Sequence, residues 1–190
     1  MLAKVLSFGL VGIEGFPVEI EVDVSRGLPG LTLVGLADTA IKESKERVKT
    51  AIKNSGFQWP AERITISLAP SDIKKEGTGF DLAIAIGILA ATNQINSQNL
   101  DYFHLLGELS LDGCLRPIKG ILPISIAVSK SKSKNAVIPL PCAKEAALVS
   151  DINIWPLKTL KNVVEFLNNP QGTQSFKFDL EIIFKQVGEY

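Results

Sequence analysis

Apolar and polar residues alternate with a period of two near the start of the chain. The run Phe16-Pro17-Val18-Glu19-Ile20-Glu21-Val22-Asp23-Val24 places acidic residues between apolar ones, which is typical of a strand with one face in water. Residues 2–13 also favour a strand, and the segment 12–15 carries glycines that supply a turn. The pattern therefore predicts an antiparallel hairpin, which a short apolar strand over 31–36 follows.

A helical period replaces this alternation after Asp38, a residue type that favours helix N-caps. The apolar or small positions at this spacing are Ile41, Ser44, Val48, Ala51 and Ile52. The run Asn54-Ser55-Gly56 is a common helix end. A strand is predicted over 63–69. Residues 80–92 form a helix that is apolar on nearly every side, so we expect it in the centre of the domain.

Helices and strands alternate in the second half of the chain. Helices are predicted over 121–130, 142–149 and 159–168, with strands over 135–140 and 152–157. This order favours parallel strands joined by crossovers. Asp112-Gly113 is a hairpin turn signal between the run 105–111 and a second run around Leu115. With the early hairpin, the fold class is α/β with a mixed sheet.

The pattern breaks after residue 168, where Asn168-Asn169-Pro170-Gln171-Gly172 begins a polar stretch. We predict one domain over 1–168 and a linker over 169–190. Apolar residues return at Ile182, Ile183 and Phe184 before the chain stops. We expect this linker to lead to a further module.

Composition narrows the class of protein. The chain has 190 residues, 46% hydrophobic and 21% charged, with 20 basic and 20 acidic residues, so a whole-chain attraction to nucleic acid is absent. Two distant cysteines, Cys114 and Cys142, with one histidine do not supply a zinc site, and we expect no bound metal or cofactor. The longest apolar run, Leu82 to Ala91, is too short to span a bilayer. We expect a cytoplasmic protein without membrane contact.

Three segments together resemble one family. They are Gly27-Leu28-Pro29-Gly30-Leu31-Thr32-Leu33-Val34-Gly35-Leu36-Ala37-Asp38, the run from Ile66 to Leu82, and Leu106-Gly107-Glu108-Leu109-Ser110-Leu111-Asp112-Gly113 with its continuation to Gly120. These resemble the N-terminal domain of the magnesium-chelatase-like proteins, also known as the competence protein ComM or YifB family. The resemblance covers residues 1–168.

This resemblance implies both a fold and a context. The family's domain is similar to the proteolytic domain of Lon, so a Lon-protease-domain-like fold is expected, of the α/β type that ribosomal proteins and GHMP kinases share. In that family the domain precedes an AAA+ ATPase module. ATP and Mg²⁺ are expected to bind in that module, beyond Tyr190, and the full-length protein is expected to be a hexamer.

The resemblance also identifies where a Ser–Lys dyad would stand. Active Lon-type domains place the serine in a run Pro-Lys-Asp-Gly-Pro-Ser-Ala-Gly before the central helix. Here Lys75, Glu76 and Gly77 match Lys-Asp-Gly, and the serine position falls on Gly79. The lysine position falls on Leu122. Because neither residue can act as nucleophile or base, we predict a non-catalytic domain.

Two other functions remain open from the residues. A residual peptidase would take its hydroxyl from Thr78 or Ser71, with Lys119, Lys74 or Lys75 as the amine. A regulatory domain would bind phosphate or another small ligand at the loop Gly77-Thr78-Gly79, at a helix N-terminus.

The charges around this loop bear on its ability to bind phosphate. Glu76 and Asp81 bring negative charge to it, which opposes phosphate. We expect Asp81, in the first turn of the helix, to cap or orient the loop 74–79.

One basic feature points to nucleic acid. Lys42, Lys45, Lys49 and Lys53 recur at spacings of three and four on the predicted helix, and we place them opposite Ile41, Val48 and Ile52. Glu43 and Glu46 temper this charge, so a solvated surface is the alternative. With Lys74 and Lys75, the stripe is a candidate DNA-contacting surface. The leading hypothesis is a non-catalytic accessory domain of an AAA+ motor that remodels DNA by branch migration, as the family does in natural transformation.

Overall fold

The computed structural model describes residues 1–177 and shows a mixed sheet of seven strands with five helices. The strands are β1 (Leu2–Val11), β2 (Glu14–Ser25), β3 (Gly30–Val34), β4 (Arg63–Ala69), β5 (His104–Leu105), β6 (Glu108–Leu109), β7 (Leu115–Arg116), β8 (Asn135–Pro139) and β9 (Asn153–Leu157). The helices are α1 (Thr39–Asn54), α2 (Asp81–Ala91), α3 (Ile121–Ser129), α4 (Ala143–Ala146) and α5 (Leu160–Asn168). The predicted α/β class is confirmed.

The main sheet has the order β3-β4-β2-β1-β5-β8-β9. Strands β1 and β2 form the predicted antiparallel hairpin, and β2 pairs antiparallel with β4. The pairs β3–β4, β1–β5, β5–β8 and β8–β9 are parallel. The helix–strand alternation of the second half thus does produce parallel strands.

Helix α2 lies at the centre of the larger core. All eleven of its residues are buried, and it packs on β1 and β2, with α1 beside it. The amphipathic helix α5 adds Val163, Phe166 and Leu167 to the same core. A second cluster around Phe8, Ile121 and Ile138 packs α3 and α4 against the sheet. The expectation that the apolar helix is central is confirmed.

The segment 105–111 departs from its prediction as one strand. It splits into β5 and β6 because Gly107 leaves the sheet to reach the start of α2: its N–H donates to the carbonyl of Gly79 (3.0 Å), and its carbonyl accepts from Leu82 (3.0 Å). The Asp112-Gly113 turn then joins β6 and β7 in a separate antiparallel pair. This small hairpin therefore covers the N-terminal end of the central helix.

The predicted linker lies only partly within the described residues. Residues 178–190 lie outside them. Before that point, Phe176 donates its backbone N–H to the carbonyl of Ile154 at 2.8 Å and packs against the second cluster. The stretch 170–176 is thus attached to the edge strand β9, and the boundary at residue 168 stays a prediction.

Gly35 allows the chain to leave β3 close to the backbone of β4. Its φ is +105°, and an added Cβ would overlap the carbonyl oxygen of Leu68. Gly56, after α1, has a similar φ of +86° but nothing near an added Cβ. A comparison of alanine substitutions at these two glycines therefore separates the cost of backbone strain from the cost of steric overlap.

We predict that Gly35→Ala lowers the free energy of unfolding by about 1–3 kcal/mol more than Gly56→Ala. Both variants carry the left-handed cost of about 1 kcal/mol, and only the first adds overlap with a neighbouring backbone. Urea unfolding of the two variants measures the difference. Equal losses would contradict the close approach of residue 35 to β4.

Candidate functional site

A cleft of about 680 Å³ opens beside the N-terminal end of α2. Its walls are the end of β1, the loop before α2, and the segment from Pro117 to the start of α3. The polar side chains that line it are those of Asp38, Glu76, Thr78, Glu108 and Lys119. Gly79, the predicted position of the missing nucleophile, lies in the same lining. This is the candidate site.

The side chains of Lys75 and Asp38 hold the loop that forms one wall of the cleft. Lys75 is fully buried, and its Nζ donates to the carbonyl of Gly35 at 3.0 Å and to that of Pro70. The carboxylate of Asp38 caps α1 at Ile41 (2.9 Å) and accepts from the N–H of Gly77 (3.0 Å). The loop is therefore fixed to the connection between β3 and α1.

Lys75 is consequently wrong as a DNA-contacting residue. Its side chain has no exposed surface, and its ammonium is occupied by carbonyl oxygens. Burial lowers its pKa from 10.5 because the charged form loses water. In the sequence, Lys74 and Lys75 are indistinguishable, and only the fold shows that one of them points inward.

Glu108 connects the cleft to the β6–β7 hairpin. It accepts a hydrogen bond from the hydroxyl of Thr78 and lies 3.5 Å from the guanidinium of Arg116. The Thr78 hydroxyl is thereby directed at a carboxylate. Because that carboxylate already faces an arginine, the group is arranged as a structural link across the mouth of the cleft.

Asp81 forms an ion pair that links α2 with α1. Its Oδ2 accepts from Nε of Arg47 at 3.0 Å and from the N–H of Leu109 at 3.2 Å, and Oδ1 accepts from Arg47 at 3.3 Å. The prediction that Asp81 caps the loop 74–79 is wrong, because the side chain turns toward α1 and β6. Sequence spacing gave no sign of this partner 34 residues away.

Burial has the largest effect on the pKa of Asp81. Desolvation raises its pKa from 3.8 to about 6, although Arg47 and the N–H of Leu109 favour the charged form. The Asp81 carboxylate in turn raises the pKa of Arg47. Asp81 therefore gains and loses its proton much closer to neutral pH than an exposed aspartate does.

The two dyad positions do not meet in the cleft. Gly79 lies in its lining, whereas Leu122 is a half-buried residue of α3 outside that lining, with its backbone N–H 3.3 Å from the carboxylate of Glu145. The amine that does line the cleft belongs to Lys119, three residues earlier. Lys119 precedes α3, so its side-chain direction is not set by its spacing from Leu122 along that helix.

The residual-peptidase alternative needs a hydroxyl hydrogen-bonded to an amine. Among residues 1–177 neither candidate hydroxyl has that bond: Thr78 donates to Glu108, and Ser71 is exposed. Lys74 pairs with Glu76 at 2.8 Å, and Lys75 is held by carbonyls. The geometry therefore offers this alternative no support.

The phosphate-loop alternative meets an acidic lining. Three carboxylates, those of Asp38, Glu76 and Glu108, line the cleft against a single lysine, Lys119. A helix N-terminus attracts anions through its free N–H groups, but the carboxylates oppose a phosphate there. Within the described residues, no group of three His, Cys, Asp or Glu side chains is arranged to hold a metal ion.

The lysine stripe of α1 lies elsewhere on the surface. Lys42 and Lys53 are exposed, while Lys45 and Lys49 are half-buried. At 3.6 residues per turn the four point roughly 110° away from the buried face, so our placement of them opposite that face is wrong.

These four lysines share α1 with Glu43 and Glu46, but within residues 1–177 none of them forms an ion pair with either. In the part of the chain that the structure describes, no carboxylate lies within ion-pair distance of them. Arg47, the remaining basic residue of α1, is on the other flank and is occupied by Asp81. Lys74 is exposed but pairs with Glu76 at 2.8 Å, so it adds little net charge.

Comparison with known proteins identifies the family. The profile of the family described as subunit ChlI of magnesium chelatase matches residues 20–141. The chain belongs to this magnesium-chelatase-like family. It is 46% identical over 182 residues to the competence protein ComM of Haemophilus influenzae, covering 96% of this chain and 35% of the relative. It is 41% identical to YifB of Salmonella typhimurium, over 91% of this chain and 34% of the relative.

The comparison also finds similarity to Lon proteases. Lon protease 2 of Bacillus subtilis is 28% identical over 182 residues, which cover 87% of this chain and 32% of the protease. The chain thus spans about a third of the length of each of these relatives. None of the helices among residues 1–177 has the length and hydrophobicity that a membrane-spanning segment needs.

We predict that the ionisation of Asp81 makes stability fall as the pH rises through about 6. A raised carboxyl pKa means that the folded state holds the proton more tightly than the unfolded state, whose pKa is 3.8. The stabilisation is therefore complete below 3.8 and is lost above about 6.

The measurement is the difference in unfolding free energy between the wild type and Asp81→Asn along a pH series. Burial lowers the pKa of His104, so the contribution of His104 to stability changes in the opposite direction and is lost as the pH falls. This contribution is the same in both proteins and cancels in the difference. A difference that does not change with pH would contradict this role of burial at Asp81.

We predict that Gly79→Ser folds with a loss of at most about 1 kcal/mol. The nearest atom to an added Cβ is Cγ2 of Ile118 at 3.6 Å, an ordinary contact. The matched control is Gly87→Ser in α2, where the Cβ would lie 2.6 Å from Cγ2 of Val22 and a larger loss is expected.

The same variant tests the chemistry of the cleft. We expect neither the wild type nor Gly79→Ser to react with a serine-directed fluorophosphonate, because no amine is hydrogen-bonded at residue 78 or 79 within the described chain. Labelling of the wild type would support the Thr78 or Ser71 peptidase. Labelling of the variant alone would show that the cleft can activate a serine at residue 79.

Proposed function

We propose that this domain is a non-catalytic accessory domain of an ATP-dependent, DNA-remodelling motor, and that α1 presents its DNA-contacting surface. The observation that carries the proposal is a set of four lysines on one flank of α1 that form no ion pair among residues 1–177: Lys42, Lys45, Lys49 and Lys53. Unpaired cations at this spacing suit a phosphate backbone, which supplies most of the affinity in sequence-independent binding.

The lysines are held on a rigid support, which favours binding over a merely solvated surface. Helix α1 is capped by Asp38 and fixed to α2 by the Arg47–Asp81 pair. Its apolar face is buried through Ile41, Val48 and Ile52. A helix fixed in this way loses little conformational freedom when it binds, so less of the binding energy is lost.

The acidic cleft favours a non-catalytic role for the rest of the domain. Gly79 supplies no nucleophile, and the hydroxyl of Thr78 is bound to a carboxylate. The buried side chains of Lys75 and Asp81 and the half-buried one of Asp38 each hold two chain segments together. These contacts stabilise the fold of the domain around the cleft.

The family supplies the wider context of the proposal. One relative is named a competence protein, and the family is that of a magnesium-chelatase subunit. We propose that the whole protein is a cytoplasmic hexamer, with ATP and Mg²⁺ bound in an AAA+ module outside these 190 residues. The present domain would contact that module and neighbouring subunits, and its motor would move branched DNA.

We predict that the chain binds branched DNA with a salt-dependent affinity. Replacement of Lys42, Lys45, Lys49 and Lys53 by Glu should weaken binding and reduce the slope of log K against log salt by up to about 3.6, since each phosphate that a lysine neutralises adds about 0.9 to that slope. Fluorescence anisotropy over a salt series measures both quantities.

A matched variant controls for net charge. Lys130, Lys132, Lys158 and Lys161 are also exposed, and their replacement by Glu changes the total charge equally. We expect this control to retain most of the slope. Equal weakening in both variants, or salt-independent binding, would contradict a specific surface on α1, and circular dichroism checks that each variant is folded.

A further inference from the structure

The four lysines of α1 form a nearly straight row along the helix axis. At 3.6 residues per turn they fall within an arc of about 80°, and successive lysines are about 4.5, 6 and 6 Å apart along the axis. The row is therefore about 16 Å long and one side chain wide. Its members are Lys42, Lys45, Lys49 and Lys53. It offers phosphates a single line of cations.

Two carboxylates lie beside this row, toward the face of α1 that points away from the domain. Glu43 and Glu46 are exposed, and among residues 1–177 neither forms an ion pair. The hydrogen bond with Asp81 has the largest effect on the pKa of Arg47, and the charge of Glu43 also raises that pKa. Glu43 therefore lies toward the Arg47 flank, away from the lysines.

The groove widths of DNA determine which form of DNA fits this arrangement. In a duplex, the second phosphate strand lies across a groove about 6 Å or about 12 Å wide. On a helix about 11 Å in diameter, Glu46 is about 5 Å and Glu43 about 11 Å around the circumference from the middle of the row. A duplex whose first strand follows the lysines would thus bring its second strand to these carboxylates. The outward face of α1 between them carries Thr39 and Thr50 and no basic residue.

The inner side of the row offers a second strand no place on α1. It borders Ile41 and Ile52, which are buried where the helix packs on the domain. Of the two backbones of a duplex, only one can therefore meet lysines of α1. A lone strand meets the same lysines without bringing a second backbone to the glutamates.

We propose that Glu43 and Glu46 restrict the α1 surface to one DNA strand, so that α1 contacts a single-stranded part of branched DNA and disfavours its duplex arms. This inference rests on the proposed DNA-contacting role of α1 and names the class of DNA that α1 takes. The lysines attract any phosphate backbone, whereas the glutamates repel a second one. Like-charge repulsion of a competing ligand is a common source of specificity.

The first test compares oligothymidine with a duplex of equal length by fluorescence anisotropy over a salt series. Charge density alone favours the duplex, because each neutralised phosphate adds about 0.9 to the slope of log K against log salt for a duplex and about 0.7 for a single strand. We expect the opposite preference here, roughly threefold to tenfold in favour of the single strand. The four lysines should contribute up to about 2.8 to its slope.

The second test removes the two carboxylates. In Glu43→Gln/Glu46→Gln the duplex should bind roughly threefold to tenfold more tightly, whereas the single strand should gain no more than about twofold. Asp101→Asn/Glu165→Gln is the matched control, since both residues are exposed outside α1 and the net charge changes equally. We expect this control to keep the preference of the wild type, and circular dichroism checks that each variant is folded.

The outcomes separate this inference from the proposed function. If replacement of the four lysines by Glu abolishes salt-dependent binding but the wild type binds the duplex as tightly as the single strand, the role of α1 stands and the restriction to one strand is overturned. An equal gain for both DNAs in Glu43→Gln/Glu46→Gln also overturns it. Loss of the single-strand preference in that variant alone supports it. A chain that binds neither DNA contradicts both proposals.

Discussion

The burial of helix α2 on all sides is the constraint on which the other elements depend. A helix without a polar face needs apolar cover in every direction, and here β1 and β2 lie against one side and α1 against another. Its N-terminal end is covered by the β6–β7 hairpin through the backbone bonds of Gly107. The cleft forms where this cover stops, between the end of β1 and the start of α3.

That burial also explains the ion pair at the start of the helix. Asp81 enters the core with α2 and loses its water, which a carboxylate tolerates only with partners. Arg47 from α1 and the N–H of Leu109 provide them. The pair therefore fixes α1 against α2. Arg47 is occupied by this internal contact, whereas the four lysines on the other flank form no ion pair within the described residues.

The sequence predicted most of the fold because local periodicities decide it. The alternation in β2 and the wholly apolar α2 are visible in single segments, and Asp38 caps α1 as expected. Contacts between distant segments were not predictable in this way: Lys75 and Lys74 are neighbours of the same type, yet only Lys75 is buried. Asp81 finds Arg47 across 34 residues, and no spacing rule indicates that partner.

The candidate site was also predictable from the sequence only in part, and its geometry shows what the absence of the serine changes. The matching run identified Gly79, which does lie in the cleft, but the lysine position at Leu122 does not. An added side chain at residue 79 meets no close atom, so packing does not impose the glycine. The loop is held by Lys75 and Asp38, whose bonds involve no group at residue 79. The shape of the cleft is therefore independent of the dyad, and a domain of this fold can lose the nucleophile while its core and the surface of α1 remain intact.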